Sequence, residues 1–193
     1  MESKPNKLDQ GIFGWRRRMG VHEAYHVSSI NRWIHWICIP LELWGVLKLA
    51  ALVKFGGAGD LTFDLGLGLI VILAPIFLAV DVLGGLLMAL MLLGLWASGK
   101  YLFLDMPWSL GSGLVAFVVP FLIQTKVGHV KFEPDGRDDT DVNIREFKNT
   151  KNPIPLILIF FYHLMQVLFA LGYRKRSALC VKQYRDEHMQ PKF

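Results

Sequence analysis

At 193 residues and a net charge of +5, the chain is long enough for one compact unit of several helices. Apolar residues make up 53% and charged residues only 19%, below the roughly 25% of soluble domains, and from residue 64 to residue 124 the only charges are Asp64, Asp81, Lys100 and Asp105. That pattern excludes a soluble globular domain, because so long a stretch cannot be covered with water-facing side chains, whereas about 20 apolar residues span a bilayer core.

The positive balance is not a nucleic-acid footprint. Arg16-Arg17-Arg18 and Arg174-Lys175-Arg176 flank apolar segments, the pattern of a cytoplasmic membrane face; solvated charges with no lipid preference are the other reading. Cys38 and Cys180 have neither CxxC nor zinc-site spacing, and Cys38, within an apolar run, reads as a small packing residue. The first 28 residues carry no continuous apolar stretch, so the membrane segments themselves are expected to direct insertion.

In chain order, residues 1–19 read as a polar, basic segment, mobile to about Gly11. Residues 20–172 read as a membrane-embedded domain, and residues 173–193 as a basic tail. Residues 20–28 fit a short helix, with Ser28 or Ser29 placed to cap the next one. The first apolar segment covers residues 31–55, with Trp33, Trp36 and Trp44 near its start. Residues 64–98 are too long for one straight span and suit a tight pair of helices, broken within 81–85, where Gly84-Gly85 punctuates. Gly66-x-Gly68 lacks the rest of a dinucleotide fingerprint and reads as a close helix contact. The fourth segment starts at Pro107 and ends near Val127. Residues 134–152 form a polar insert of mixed charge with a turn at Pro134-Asp135-Gly136 and Asp138-Asp139 beyond it. A fifth apolar segment covers residues 154–171. The expected fold is all-α: a polytopic membrane helical bundle of four spans plus a fifth hydrophobic segment.

Charge decides how that fifth segment is placed. The N-terminal region counted to Arg32, the 126–151 loop and the C-terminal tail each carry six Lys or Arg, and all three favour the cytoplasmic side. Four spans satisfy the first two, but a fifth full span would export the third. Residues 154–171 are therefore expected to be re-entrant or packed on the cytoplasmic face, in keeping with Tyr162, His163 and Gln166 in mid-segment.

Two polar sets sit at segment ends: Tyr25-His26-x4-Asn31-x3-His35 and Gln124-x3-Gly128-His129-x3-Glu133. An up-and-down bundle brings the start of segment one and the end of segment four to one face, so His26, His35, His129 and Glu133 can meet. His26 and His35, nine apart, lie on opposite faces of a straight helix. Their convergence requires a bend, for which Ser28 and Ser29 provide a place. Histidines with a carboxylate and open positions suit non-haem Fe(II), while zinc and manganese are chemically open. His22, four residues before His26, is a further ligand or an outer group. His163 reads as a packing or substrate-facing residue, and His188 as a solvated one. Single interfacial histidines are also common as hydrogen-bonded anchors.

At these residues the sequence resembles the iron-dependent 2-hydroxy-fatty-acid dioxygenases of the endoplasmic reticulum membrane. The likeness rests on Tyr25, His26, Asn31, His35 and Pro40, then Gln124, Gly128, His129 and Glu133, and on the hydrophobic layout through Leu171-Gly172. It covers residues 20–172. Two departures stand out: the long insert at 134–152, and Gln166 where the family carries an acidic residue. The resemblance implies an Fe(2+) enzyme of fatty acid α-oxidation, acting in phytosphingosine and sphingolipid breakdown. It would shorten a 2-hydroxy fatty acid by one carbon with O2, in the endoplasmic reticulum membrane, or an inner membrane in a bacterium, with both termini cytoplasmic. His26, His35, His129 and Glu133 would be the metal and catalytic residues, with Glu133 either a fourth ligand or the carboxylate that orients one of the histidines. Tyr25, Asn31, Gln124, His22 and His163 would contact substrate or ligands. Two other classes compete: a metal-dependent membrane lipid hydrolase, and a non-enzymatic membrane scaffold or lipid-binding protein.

Overall fold

The computed structural model describes residues 12–58, 61–103, 106–136 and 140–189. Helices α1 (Trp15–Tyr25) and α2 (Ser29–Ala51) are followed by a hairpin of β1 (Lys54–Ala58) and β2 (Leu61–Asp64). Then come α3 (Leu65–Val80) and α4 (Val82–Ala97), the latter continued by a π-helical turn (Ser98–Leu102). Helix α5 (Ser109–Leu122) runs through a second π-helical stretch (Ile123–His129) into one last turn, α6 (Val130–Phe132). Helices α7 (Thr140–Thr150), α8 (Ile154–Ala170) and α9 (Lys175–Met189) complete the chain.

Among the described residues, three helical stretches are long and apolar enough to cross a membrane: Ser29–Ala51, Val82–Leu102 and Ser109–Phe132. Helix α3 is apolar but shorter, as is α8. Together α2 to α5 form an up-and-down bundle. Helices α2 and α5 run antiparallel: a Cβ on Gly45 would lie 2.7 Å from the Gly113 carbonyl oxygen and 2.8 Å from the Phe117 nitrogen. Small residues permit that backbone approach in apolar surroundings. Outward-facing Val71, Ile72, Leu90 and Val115 are all more than half exposed, an extent of bare apolar surface that soluble monomers avoid.

The pair α3–α4 breaks at one residue, Asp81, and Gly84 and Gly85 lie inside α4. Asp81 is extended (φ −156°, ψ 125°), and its carboxylate accepts from the Gly84 N–H at 2.8 Å, capping α4. Gly85 lets the helices touch, since a Cβ there would strike the backbone of Phe77 and Leu78. At the far end of the pair Lys100 forms a buried 2.8 Å ion pair with Asp64, which also accepts from the Trp96 indole and the Leu67 N–H. Two of the isolated charges between residues 64 and 124 thus neutralise each other, and Asp81 meets Arg174 at 2.9 Å. Asp105 lies outside the described residues. A Cβ on Gly66 would lie 2.7 Å from Trp96 and 3.0 Å from the Leu47 carbonyl, as a close contact requires, whereas Gly68 faces open space.

Helix α8 lies against the end of the bundle where α2 begins. Phe161 stacks on Phe77 at 5.5 Å, Phe169 packs against Trp15, and Tyr173, just past the helix, donates to Asp81. On the outside, α9 packs on α1, where a Cβ on Gly20 would lie 2.5 Å from Tyr184 Cβ and 2.7 Å from the Val181 carbonyl.

Several boundaries differ from the sequence expectations. The first apolar segment ends at Ala51, and residues 54–58 pair with residues 61–64 as antiparallel strands, because the flexible Gly56-Gly57 pair suits a turn-rich strand better than a helix. Helix α1 starts at Trp15, within the basic N-terminal segment; residues 1–11, including the expected mobile stretch, lie outside the described residues. The polar insert carries α7, tied to α1 by the Arg18–Glu146 ion pair, and the expected turn is a 3-10 helix at Pro134–Gly136; Asp138 and Asp139 lie outside the described residues. The basic tail is not free: α9 buries Val181 and Tyr184.

Candidate metal centre

The site forms where α1 stops and α2 starts. Helix α1 ends at Tyr25, His26 to Ser28 break the axis, and Ser28 caps α2 by accepting from the Asn31 N–H at 3.4 Å. This is the bend that convergence of His26 with His35 requires. Glu133 holds it. Its carboxylate accepts from the Val27 N–H (3.0 Å), the Ser28 N–H (3.2 Å) and the Asn31 amide (2.8 Å). A buried carboxylate at the N-terminus of α2 is stabilised by those donors and by the helix dipole. Asn31 reaches it by packing on Gly128, where any Cβ would strike Asn31 Oδ1.

Glu133 therefore does not join the metal-capable donors, contrary to the expectation from its spacing to His129. Both oxygens are engaged at the bend, and Glu133 itself lies beyond α6, in extended backbone (φ −94°, ψ 143°). The donors that converge are imidazoles. His26, His35 and His129 are buried and each offers a ring nitrogen within 4.8 Å of the others. His22, His26 and His163 form a second such triplet.

Within the first triplet, one pair has the spacing of ligands around one ion. His35 Nε2 and His129 Nε2 lie 3.1 Å apart, and two nitrogens each about 2.0–2.1 Å from a metal lie roughly 2.8–3.4 Å apart at angles of 90–109°. His26 Nδ1 lies 2.9 Å from the His22 carbonyl oxygen. A carbonyl only accepts, so Nδ1 carries the proton and Nε2 keeps its lone pair for a ligand bond. The π-helical stretch widens α5 so that Gln124 and His129 both turn inward.

His163, in the middle of α8, stacks on His35 at 5.0 Å and 7° and meets His22 edge-on at 4.8 Å. Burial, then the neighbouring His22, His35 and His26, pushes its imidazole well below the ordinary value, which keeps it neutral. The structure thus brings His22 and His163 into the cluster itself. Tyr25 lies outside it, packed against His188, which is exposed. Gln166, one turn beyond His163, is buried.

Sequence reasoning missed one residue. Glu42, two turns below His35 on α2, is buried and accepts from the Gln124 amide. Both line a cavity of about 290 Å³ with the five histidines of the cluster. The available signal was a lone carboxylate inside an apolar segment, which marks a functional position by default.

No protein-family model, curated protein or solved structure matches the chain.

Proposed function

We propose that this chain is a membrane-embedded, Fe(II)-dependent dioxygenase that converts a 2-hydroxy fatty acid and O2 to the acid one carbon shorter, CO2 and water. The observation that carries this reading is the buried His26–His35–His129 triplet beside a cavity between apolar helices. The resemblance of the two motifs adds the substrate class. The membrane setting rests on three span-length helices, on Trp33 and Trp108 exposed at opposite ends of the bundle, and on basic residues gathered at the histidine end. Helix α8 would then lie at that end without crossing, which keeps α9 on the same side as α1.

The donor set fits a divalent transition metal. Neutral imidazoles suit iron, zinc, copper and nickel, and the buried donors are free of competing solvent. His26, His35 and His129 would hold the ion, which when bound supplies a template and a redox centre. The overall reaction is balanced: the hydroxy acid loses four electrons, O2 takes up four, and no nicotinamide or flavin is needed. The chain's own contribution is positional. Glu133 and Asn31 fix the bend that aims His26, the His22 carbonyl sets its tautomer, and the apolar helices exclude water.

A second reading has a specific observation behind it. Three histidines without a carboxylate ligand are also a catalytic zinc set, and Glu42 in the same cavity would be the base of a lipid hydrolase. One experiment separates the two. Protein purified without chelator should hold about one iron per chain and consume O2 with 2-hydroxypalmitate, releasing one CO2 per O2. Zinc with O2-independent ester hydrolysis would favour the hydrolase. Absence of any bound transition metal would leave a scaffold.

A further inference from the structure

The stacked rings of His35 and His163 separate two cavities of opposite character. On one side lies the 290 Å³ space already described, floored by the Glu42–Gln124 pair. On the other lies a smaller cavity of about 130 Å³. Its walls are Trp36 and Pro40 of α2, Met91 of α4, and Phe160, Leu164 and Val167 of α8. The two share His35, Ile39, Phe160 and His163 as lining residues, so they abut.

We infer that the smaller cavity is the acyl-chain subsite and encloses only the first five or six carbons beyond the reacting head, the rest of the chain lying between helices. This rests on the dioxygenase reading for the identity of the head group. Three observations carry it. Apart from the two imidazoles, the Trp36 indole and the Met91 thioether, the lining side chains are hydrocarbon. The larger cavity contains a buried carboxyl–amide pair, and methylenes laid against it would strip polar groups of their partners. The size sets the length: an apolar cavity of about 150 Å³ accepts a benzene molecule, so 130 Å³ holds about as many carbons. Pro40 contributes to the space, since it has no N–H to close the ladder and its ring crowds the turn at Trp36. The occupant is a free hydroxy acid, because only a ligand with its polar head at the imidazoles places its first methylenes here.

Trp36 in the wall is a built-in reporter. The test uses the full chain in phospholipid nanodiscs, with Trp36→Phe to isolate the Trp36 fluorescence. A fatty acid brominated at carbon 6 should quench Trp36, and one brominated at carbon 12 should not. Water-soluble 2-hydroxy acids from four to eight carbons should gain roughly fourfold in affinity per methylene. Val167→Phe on α8 and Met91→Phe on α4 each take up space in the cavity without adding a tryptophan. Either should abolish the carbon-6 quenching and flatten the chain-length series, with iron content unchanged. Two filling variants on different helices guard against misfolding of one. Equal quenching from both bromine positions, or quenching that survives both filled variants, would overturn the subsite. So would a brominated phosphatidylcholine that quenches as well as the free acid. Because binding is read without turnover, a protein that binds acids this way but consumes no O2 refutes the dioxygenase and leaves the subsite standing.

Discussion

His26 depends on more of its surroundings than any other histidine of the cluster. It belongs to both triplets, its Nδ1 is tied to the His22 carbonyl, and its position follows from the bend that Glu133 clasps. His26→Ala should therefore strip the metal completely. His35→Ala and His129→Ala should each weaken binding and abolish turnover, and exposed His188→Ala should change neither; metal content by elemental analysis beside oxygen uptake reads all four. Glu133→Gln separates a ligand from a clasp. The amide keeps the shape but loses the charge that three donors surround. Hydrogen bonds to charged groups contribute about 1.5–3 kcal/mol each, so the variant should melt measurably lower while retaining metal. Loss of metal from a variant with an unchanged melting temperature would restore Glu133 as a ligand.

At this scale the sequence was readable where spacing repeats a local rule. The sets at 25–35 and 124–133 stand at segment ends, and bundle topology brings them together. His163 and Glu42 carry no local pattern. One lies in the middle of α8 and the other two turns beyond His35 on α2, and only packing across helices places them at the cavity. The role of Glu133, ligand or supporting carboxylate, was left open by the sequence for a related reason. Its four-residue spacing from His129 implies one helical face, but the helix ends at Phe132 and the chain turns extended, so the carboxylate points at the backbone of residues 27 and 28.

Among the elements, the α3–α4 break was legible because a charged residue and two glycines interrupt an apolar run, and Asp81 alone suffices through its cap. Helix α9 was not, since its composition is that of a solvated tail and its few apolar residues, Val181 and Tyr184 among them, become buried only against α1. Gly20 is the position that permits this docking. A side chain there meets Tyr184 and the backbone at Val181 and Arg185, and backbone cannot yield as a flexible side chain can. Gly20→Val should lift α9 from α1. Limited proteolysis should then cleave between residues 175 and 189 in the variant but not in the parent. Retained protection would mean that α9 is held by other contacts.

For the whole molecule, the decisive question is on which side each part stands. Helices α2 and α5 bring the histidine end together with α7 and with the basic helices α1 and α9, and leave the β1–β2 hairpin at the other end. In the proposed membrane setting, the positive-inside rule favours the cytoplasmic side for the basic end. If α8 crossed the bilayer, α9 would be carried to the hairpin side, yet Tyr173 meets Asp81 and α9 packs on α1. In that proposed setting the fold and the charge bias favour the same arrangement, an even number of crossings. Single cysteines at Gly57, Lys148 and Lys182, in a chain with Cys38 and Cys180 replaced by serine, test this in sealed microsomes whose cytoplasmic face is outward. A membrane-impermeant maleimide should label positions 148 and 182 directly and position 57 only after detergent. Labelling of 57 and 182 together, with 148 protected or on the opposite side, would mean that α8 spans the membrane and that the contact of α9 with α1 does not form.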